Sequence, residues 1–323
     1  AAEGGRRWGL GSGASPLVTG HFAVQDRAEQ ALAAFVGRPA SLLFGSGYAA
    51  NLAVIPSLLG RDDAVFADKL NHASLNDGCR LSRARLCRFR HNDLQHLEQL
   101  LRTTKARSRM IVVDAVYSMD GDEAPLAALL ALAHQYDAWL YIDDAHGFGI
   151  LGDGRGSLVD AGLEDDRIIY MATLGKAAGV GGAFVAASRQ VIDWLINTAR
   201  TYVFSTAHPP MLAQALQVSL ALIEQESWRR ERIKNHIESI NHGLNDKWFK
   251  IKTSRTPIQP IIIGDNQRTL DLSARLRAAG LWVPAIRPPT VAEGSARLRV
   301  SLSAAHSAAD LNRLMEGFAD LSV

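Results

Sequence analysis

The sequence predicts an α/β protein with a mostly parallel central sheet and a smaller α+β C-terminal domain. Three observations predict it. Short apolar runs at 41–44, 64–68, 110–116, 138–142, 167–171 and 183–187 have the length of buried strands. Stretches with helical spacing separate most of them, as parallel βα units require. From Pro209 onward the pattern changes to two long helical stretches and then to shorter mixed elements. A chain of 323 residues is too long for one small core, so the two patterns are assigned to two domains, 1–225 and 226–323.

The first elements set up an edge rich in polar groups. Gly9-Leu10-Gly11-Ser12-Gly13 is a flexible opening with no strand before it, which argues against a dinucleotide fingerprint. A helix is expected over 25–36, with Ala28, Leu32 and Phe35 on one face. Strand 41–44 runs into Gly45-Ser46-Gly47-Tyr48-Ala49-Ala50-Asn51 and an apolar helix to Leu59. Small residues at such a turn leave backbone N–H groups available, and a helix N-terminus adds positive partial charge. The segment therefore reads equally as a phosphate cradle or as a tight turn that binds nothing. Strand 64–68 leads to Leu70-Asn71-His72-Ala73-Ser74, a polar loop in which His72 can stack on a planar ligand or serve the loop alone. Strand 85–89 follows, and His91-Asn92-Asp93 caps a helix through Leu101. Strand 110–116 ends in the polar loop Tyr117-Ser118-Met119-Asp120-Gly121-Asp122, and Pro125 starts a helix to about Gln135.

The chemistry concentrates in 138–176. Strand 138–142 ends on Asp143-Asp144-Ala145-His146-Gly147, and strand 167–171 leads into Thr173-Leu174-Gly175-Lys176. In a parallel sheet these ends share one edge, where α/β proteins bind ligands. An acid for a ring nitrogen and a lysine for a Schiff base are what pyridoxal phosphate (PLP) needs. Gly179-Val180-Gly181-Gly182 then turns into strand 183–187. Beyond it come helices 211–226 and 229–248, strand 260–263, helix 270–279, strands 281–286 and 296–302, and a helix from Ala308.

Composition excludes several classes. Hydrophobic content of 47% with 21% charged residues is globular, and 35 basic against 33 acidic side chains gives no case for nucleic acid. Arg80, Arg83, Arg85, Arg88 and Arg90 read as a solvated face, with an acidic thioester as the alternative use. Cys79 and Cys87 form no metal or disulfide pattern and fit a reducing cytoplasm. No apolar run spans a bilayer, and 1–10 lacks the apolar core of a signal peptide.

With these motifs in place, the sequence resembles the α-oxoamine synthases, a branch of the fold-type I PLP-dependent transferases. The resemblance covers nearly the whole chain. It rests on Gly45 to Asn51, Asn71-His72-Ala73-Ser74, Ser118 to Asp122, Asp143 to Gly147 and Thr173 to Lys176. It implies that Lys176 forms the Schiff base, Asp143 keeps the pyridine nitrogen protonated, His146 bonds the ring hydroxyl and His72 stacks on the ring. It implies that Gly47 and Tyr48 N–H groups and the Thr173 hydroxyl hold the phosphate, and that Ser118 contacts the cofactor. Thr290 and Arg299 are implied on the substrate side, Arg299 forking a carboxylate. Ser205 and Thr206 resemble a segment that reaches the phosphate from a partner subunit, which implies a homodimer with shared active sites.

Ile258-Gln259-Pro260, Gly264-Asp265-Asn266, Ala285 to Val291 and Arg297-Leu298-Arg299 resemble the biotin-synthesis branch. That branch implies L-alanine and a pimeloyl thioester, carried by coenzyme A or a carrier protein, as substrates. The resemblance also implies a segment ahead of the Gly-rich opening, with Asn-Asp-Tyr-Leu-Gly and an arginine near the acyl chain; the sequence starts beyond it. Other readings are a different enzyme of this fold, such as a glycine C-acetyltransferase-like synthase or an aminotransferase, and a non-catalytic PLP-fold subunit. An intact Lys176, Asp143 and His146 set argues against the last.

Overall fold

The computed structural model describes residues 1–244 and 250–321. The chain forms two compact units, 1–116 with 123–225, and 117–122 with 226–323.

The first unit holds seven strands: β1 (Ala40–Phe44), β2 (Ala64–Asp68), β3 (Arg85–Phe89), β4 (Arg109–Asp114), β5 (Ala138–Asp143), β6 (Ile168–Thr173) and β7 (Ala183–Ala187). Their order is β1-β7-β6-β5-β4-β2-β3. The pairs among β2 to β6 are parallel, and β7 runs against both its neighbours. Most of these strands are apolar on both faces, as a sheet covered on both sides demands. On one face, Ala50, Ala53, Val54 and Ile55 of helix Gly47–Leu58 join Val65, Met110, Val112, Tyr141, Ile169, Met171 and Val185 in one core. Because the strands are parallel, Asp68, Asp114, Asp143 and Thr173 end at a common edge. Strand order reverses between β2 and β4, which opens a crevice there.

Several elements depart from expectation. Helix Ala73–Leu81 replaces the expected polar loop, and His72 is its N-cap. Helix Ala2–Trp8 precedes the Gly-rich opening, and a Cβ on its buried Gly4 would lie 2.9 Å from Gln214 Cβ of helix Pro210–Gln225. Helix Arg189–Thr198 follows β7. β4 stops at Asp114, two residues short of the expected limit, and its last ladder bond runs from the Ala115 N–H to the Asp143 carbonyl at 2.8 Å. β6 runs on to include Thr173. The arginines from Arg80 to Arg90 are all exposed.

The second unit holds a four-stranded antiparallel sheet of order β10-β11-β9-β8, with β8 (Lys250–Ile251), β9 (Ile258–Gly264), β10 (Ala285–Ile286) and β11 (Ala296–Ser301). Helices Trp228–Gly243, Asn266–Ala278 and Ala308–Ala319 accompany it. The part of the expected helix over 245–248 lies outside the described residues. The strand expected over 281–286 shrinks to β10, since Pro284 offers no N–H to a ladder and only its carbonyl is used, by the Arg299 N–H at 3.0 Å. Segment 117–122 is fastened to this unit. Ser254 Oγ donates to the Gly121 carbonyl at 2.7 Å, Arg297 pairs with Asp120, and Lys252 Nζ lies 3.4 Å from Asp120 and 3.3 Å from Asp122. Gly121 has φ +68°, and a Cβ there would meet the Ile258 carbonyl at 2.6 Å, so glycine is required. Among the described residues no helix is long and apolar enough to cross a membrane.

Candidate active site

Asp143 ends β5 and is buried. Its Oδ2 accepts from Asn51 Nδ2 at 2.8 Å and its Oδ1 from the Ala145 N–H at 3.0 Å. Burial pushes this carboxyl up, while the Asn51 bond, the Ala145 N–H and the positive charge of Lys176 pull it back; the net direction is up. Asp114, its register partner on β4, is buried as well and is pushed much further up, by burial and then by the Asp143 charge. Two neighbouring acids thus stand in environments that separate their proton affinities. Burial favours the protonated form of both acids, Asp114 more strongly, and a cation placed beside Asp143 would favour its charged form.

His72 is tied directly to Asp114. Its backbone N–H donates to Asp114 Oδ2 at 2.7 Å, and its Nδ1 lies 2.7 Å from Ser74 Oγ. Asn71 fixes the approach: its Nδ2 donates to the Val112 carbonyl at 2.7 Å, and its Oδ1 accepts the Asp114 N–H at 3.3 Å. The ring of His72 is exposed. It is held by a helix start and two strand ends, not by a mobile loop.

Lys176 lies in the exposed turn after β6, and its charge acts on both Asp143 and Asp114. The turn is closed by backbone bonds from Leu174 to Gly182, from Gly179 to Lys176 and from Val180 to Leu174, each 2.9 Å. Thr173 Oγ1 donates to the Gly182 carbonyl at 3.2 Å. Gly47 stands beside it: a Cβ there would be 3.8 Å from Thr173 Cβ. Gly47 and Tyr48 are the first residues of their helix, whose opening amides have no intrahelical acceptor. Ser46 caps the helix by accepting from the Ala49 N–H at 3.1 Å, and the Tyr48 hydroxyl donates to Asp77 at 2.6 Å. His146 is half-buried three residues beyond Asp143. The next residue, Asp144, fastens this turn: it accepts from Ser157 Oγ at 2.5 Å, the Ser157 N–H at 2.7 Å and Tyr170 Oη at 2.8 Å.

Ser118, Arg299 and Thr290 belong to the second unit. Arg299 Nε donates to the Ser118 carbonyl and Nη1 to Ser301 Oγ, both at 2.6 Å, which sets the plane of the guanidinium. Burial lowers the proton affinity of Arg299. Thr290 is exposed in the turn its N–H closes on the Arg287 carbonyl at 3.0 Å. Ser205 and Thr206 are exposed in the first unit, just after helix Arg200–Val203.

Residues 3–318 match the class I and II aminotransferase family. The 8-amino-7-oxononanoate synthase of Chromobacterium violaceum is 62% identical over 314 residues, covering 97% of this chain and 82% of that protein. The chain belongs to the 8-amino-7-oxononanoate synthases. The family's enzyme from Nitrosomonas europaea is 56% identical over 326 residues, covering 100% of this chain and 84% of its own. Among solved structures, an 8-amino-7-oxononanoate synthase from Francisella tularensis superposes with a TM-score of 0.85 at 29% identity, over 99% of this chain and 91% of that one. A serine palmitoyltransferase from S. paucimobilis with bound PLP gives a TM-score of 0.93 at 30% identity, over 98% and 81%. The fold-type I assignment made from sequence stands.

The residues of the first unit suit the cofactor expected of such a synthase. A buried carboxyl at Asp143, the amine of Lys176, the flat ring of His72 and a helix N-terminus at Gly47 offer what a protonated pyridine, an aldehyde and a phosphate each require. Sequence reasoning assigned no role to Asn51, Ser74, Asp114, Tyr141 or Asp144. Asn51 left a trace, as a polar residue inside an apolar helix. The others look like ordinary strand or loop residues.

Proposed function

We propose that the chain binds PLP in its first unit and condenses L-alanine with a pimeloyl thioester, releasing carbon dioxide and free thiol and giving 8-amino-7-oxononanoate. The buried Asp143 carboxylate, within the field of Lys176 and His72, carries this reading. When bound, PLP supplies the electron sink for the charge that builds at the α-carbon. Asp143 would keep the pyridine nitrogen protonated by offering it a buried carboxylate. His146 serves the ring hydroxyl and His72 covers the ring. Gly47 and Tyr48 amides with the Thr173 hydroxyl hold the phosphate, joined by Ser205 and Thr206 of a partner subunit; the exposure of that pair supports the sharing. Ser118 contacts the cofactor. Lys176 Nζ would hold the aldehyde of the cofactor, and its amine is the group that would take the α-proton of the amino acid. Arg299, anchored through two of its donors, keeps others for the alanine carboxylate, and Thr290 lines the substrate side.

The acyl carrier is coenzyme A or a carrier protein, and the assembly is a homodimer. Two buried free thiols support a reducing, cytoplasmic setting. Borohydride reduction in the presence of PLP, followed by peptide mapping, tests the cofactor assignment: the label belongs on Lys176, and a label on another lysine ends it.

A further inference from the structure

Asn51 is buried, and both polar atoms of its side chain are engaged. Oδ1 accepts from Tyr141 Oη at 2.6 Å. Nδ2 donates to Asp143 Oδ2 and to Ser74 Oγ, each at 2.8 Å. Ser74 Oγ lies 2.7 Å from His72 Nδ1, and the Ser74 N–H points at the same nitrogen from 3.3 Å. The directions of these bonds follow from donor chemistry. An ionised carboxylate only accepts, so Asn51 must turn its NH2 toward Asp143. The second hydrogen of that NH2 occupies one lone pair of Ser74 Oγ, which leaves the hydroxyl its proton and one more lone pair for His72 Nδ1, so the Ser74 N–H decides the direction. A proton on Nδ1 would face the Ser74 N–H, donor against donor. Nδ1 therefore accepts, and Nε2 carries the imidazole proton.

We propose that Asn51 and Ser74 are positioning residues that hold His72 in its Nε2–H tautomer and tie the ring to Asp143. The proposal rests on the function proposed above, under which His72 and Asp143 meet the same bound ring. Three separate elements are joined by one amide: helix Gly47–Leu58, β5 and the start of helix Ala73–Leu81. The exposed ring then presents an N–H, not a lone pair, to what binds over it.

The test is 15N NMR of histidine-labelled, cofactor-free protein at about pH 8, above the ordinary imidazole range. In the wild type, His72 Nε2 is protonated and Nδ1 bare. Ser74→Ala removes the hydroxyl donor and raises the Nδ1–H form, and Ser74→Thr restores the wild-type pattern. In the loaded enzyme Ser74→Ala lowers kcat about tenfold, as loss of one buried hydrogen bond implies, with KM for both substrates within about twofold. A wild-type His72 protonated on Nδ1, or a tautomer unmoved by Ser74→Ala, overturns the proposal. Should Ser74→Ala not fold, the wild-type tautomer decides alone. Failure of the wild type to bind PLP or turn over counts against the proposed function and leaves the tautomer readout intact.

Discussion

Asn51 Nδ2 and Asp143 Oδ2 meet at 2.8 Å with both side chains buried, an amide donor against a carboxylate that also takes the Ala145 N–H. Asp143→Asn keeps the size of the side chain and loses its charge. It leaves one oxygen for two donors, and it no longer stabilises a cation on the ring above it. PLP is expected still to bind, because the phosphate is held elsewhere. Turnover should fall by about 10²–10³, the usual loss for a main electrostatic group. Steady-state rates and the visible absorbance of the loaded protein check this, and near-normal turnover would mean that the carboxylate is structural.

Tyr141 Oη donates to Asn51 Oδ1 at 2.6 Å, so Tyr141→Phe takes this donor from a buried carbonyl oxygen while keeping the ring packed. A stability loss of about 1–3 kcal/mol is expected in urea titration. No change in midpoint would show that water replaces the phenol.

Asp144 sets a pH dependence. Burial raises its carboxyl from 3.8 to about 6, against the bonds from Ser157 and Tyr170. The folded chain thus holds this proton more tightly than the unfolded chain does. Stability from this group is full below pH 3.8 and is lost as pH rises to about 6, by about 3 kcal/mol in order of magnitude. Asp144→Asn removes that slope. Urea titrations of both proteins between about pH 4 and 7 should show the variant gaining on the wild type as pH rises; parallel curves would refute the assignment.

How much of this was legible in the sequence differs by element. The bounds of β2 and β7 match the sequence expectation to the residue because both are short, fully buried apolar runs between turn residues; β3, an edge strand with Arg85 and Arg88 exposed, matches through its β-forming residues between turns. The edge that carries Asp143, His146 and Lys176 followed from that pattern. Helix Ala73–Leu81 was missed because Asn76-Asp77-Gly78 reads as a turn. Gly78 is there for another reason: a Cβ would fall 2.5 Å from the Asn51 carbonyl, so glycine lets the two helices cross closely. Asn51 and Ser74 were invisible as functional residues for a related cause. Their meaning lies in partners 92 and 2 positions away, and only the folded chain brings them to one carboxylate and one imidazole.

The shared site is testable by complementation. Lys176→Ala chains and chains disabled at Thr206 should each be inactive as homodimers. Mixed, they should regain activity through dimers in which one site keeps both residues. No recovery after exchange is confirmed, or a fully active monomer in sedimentation, would exclude sharing.

The most direct test of the proposed reaction is a grid of kcat/KM values. Pimeloyl, acetyl, succinyl and palmitoyl thioesters are each assayed with L-alanine and with glycine, following carbon dioxide and free thiol. One methyl in a pocket discriminates by about 1–3 kcal/mol, so alanine should lead glycine by about tenfold or more. Pimeloyl thioester with L-alanine is expected to give the highest value and to release both products in equal amounts. Preference for acetyl thioester with glycine, or amino transfer without thiol release, would contradict it.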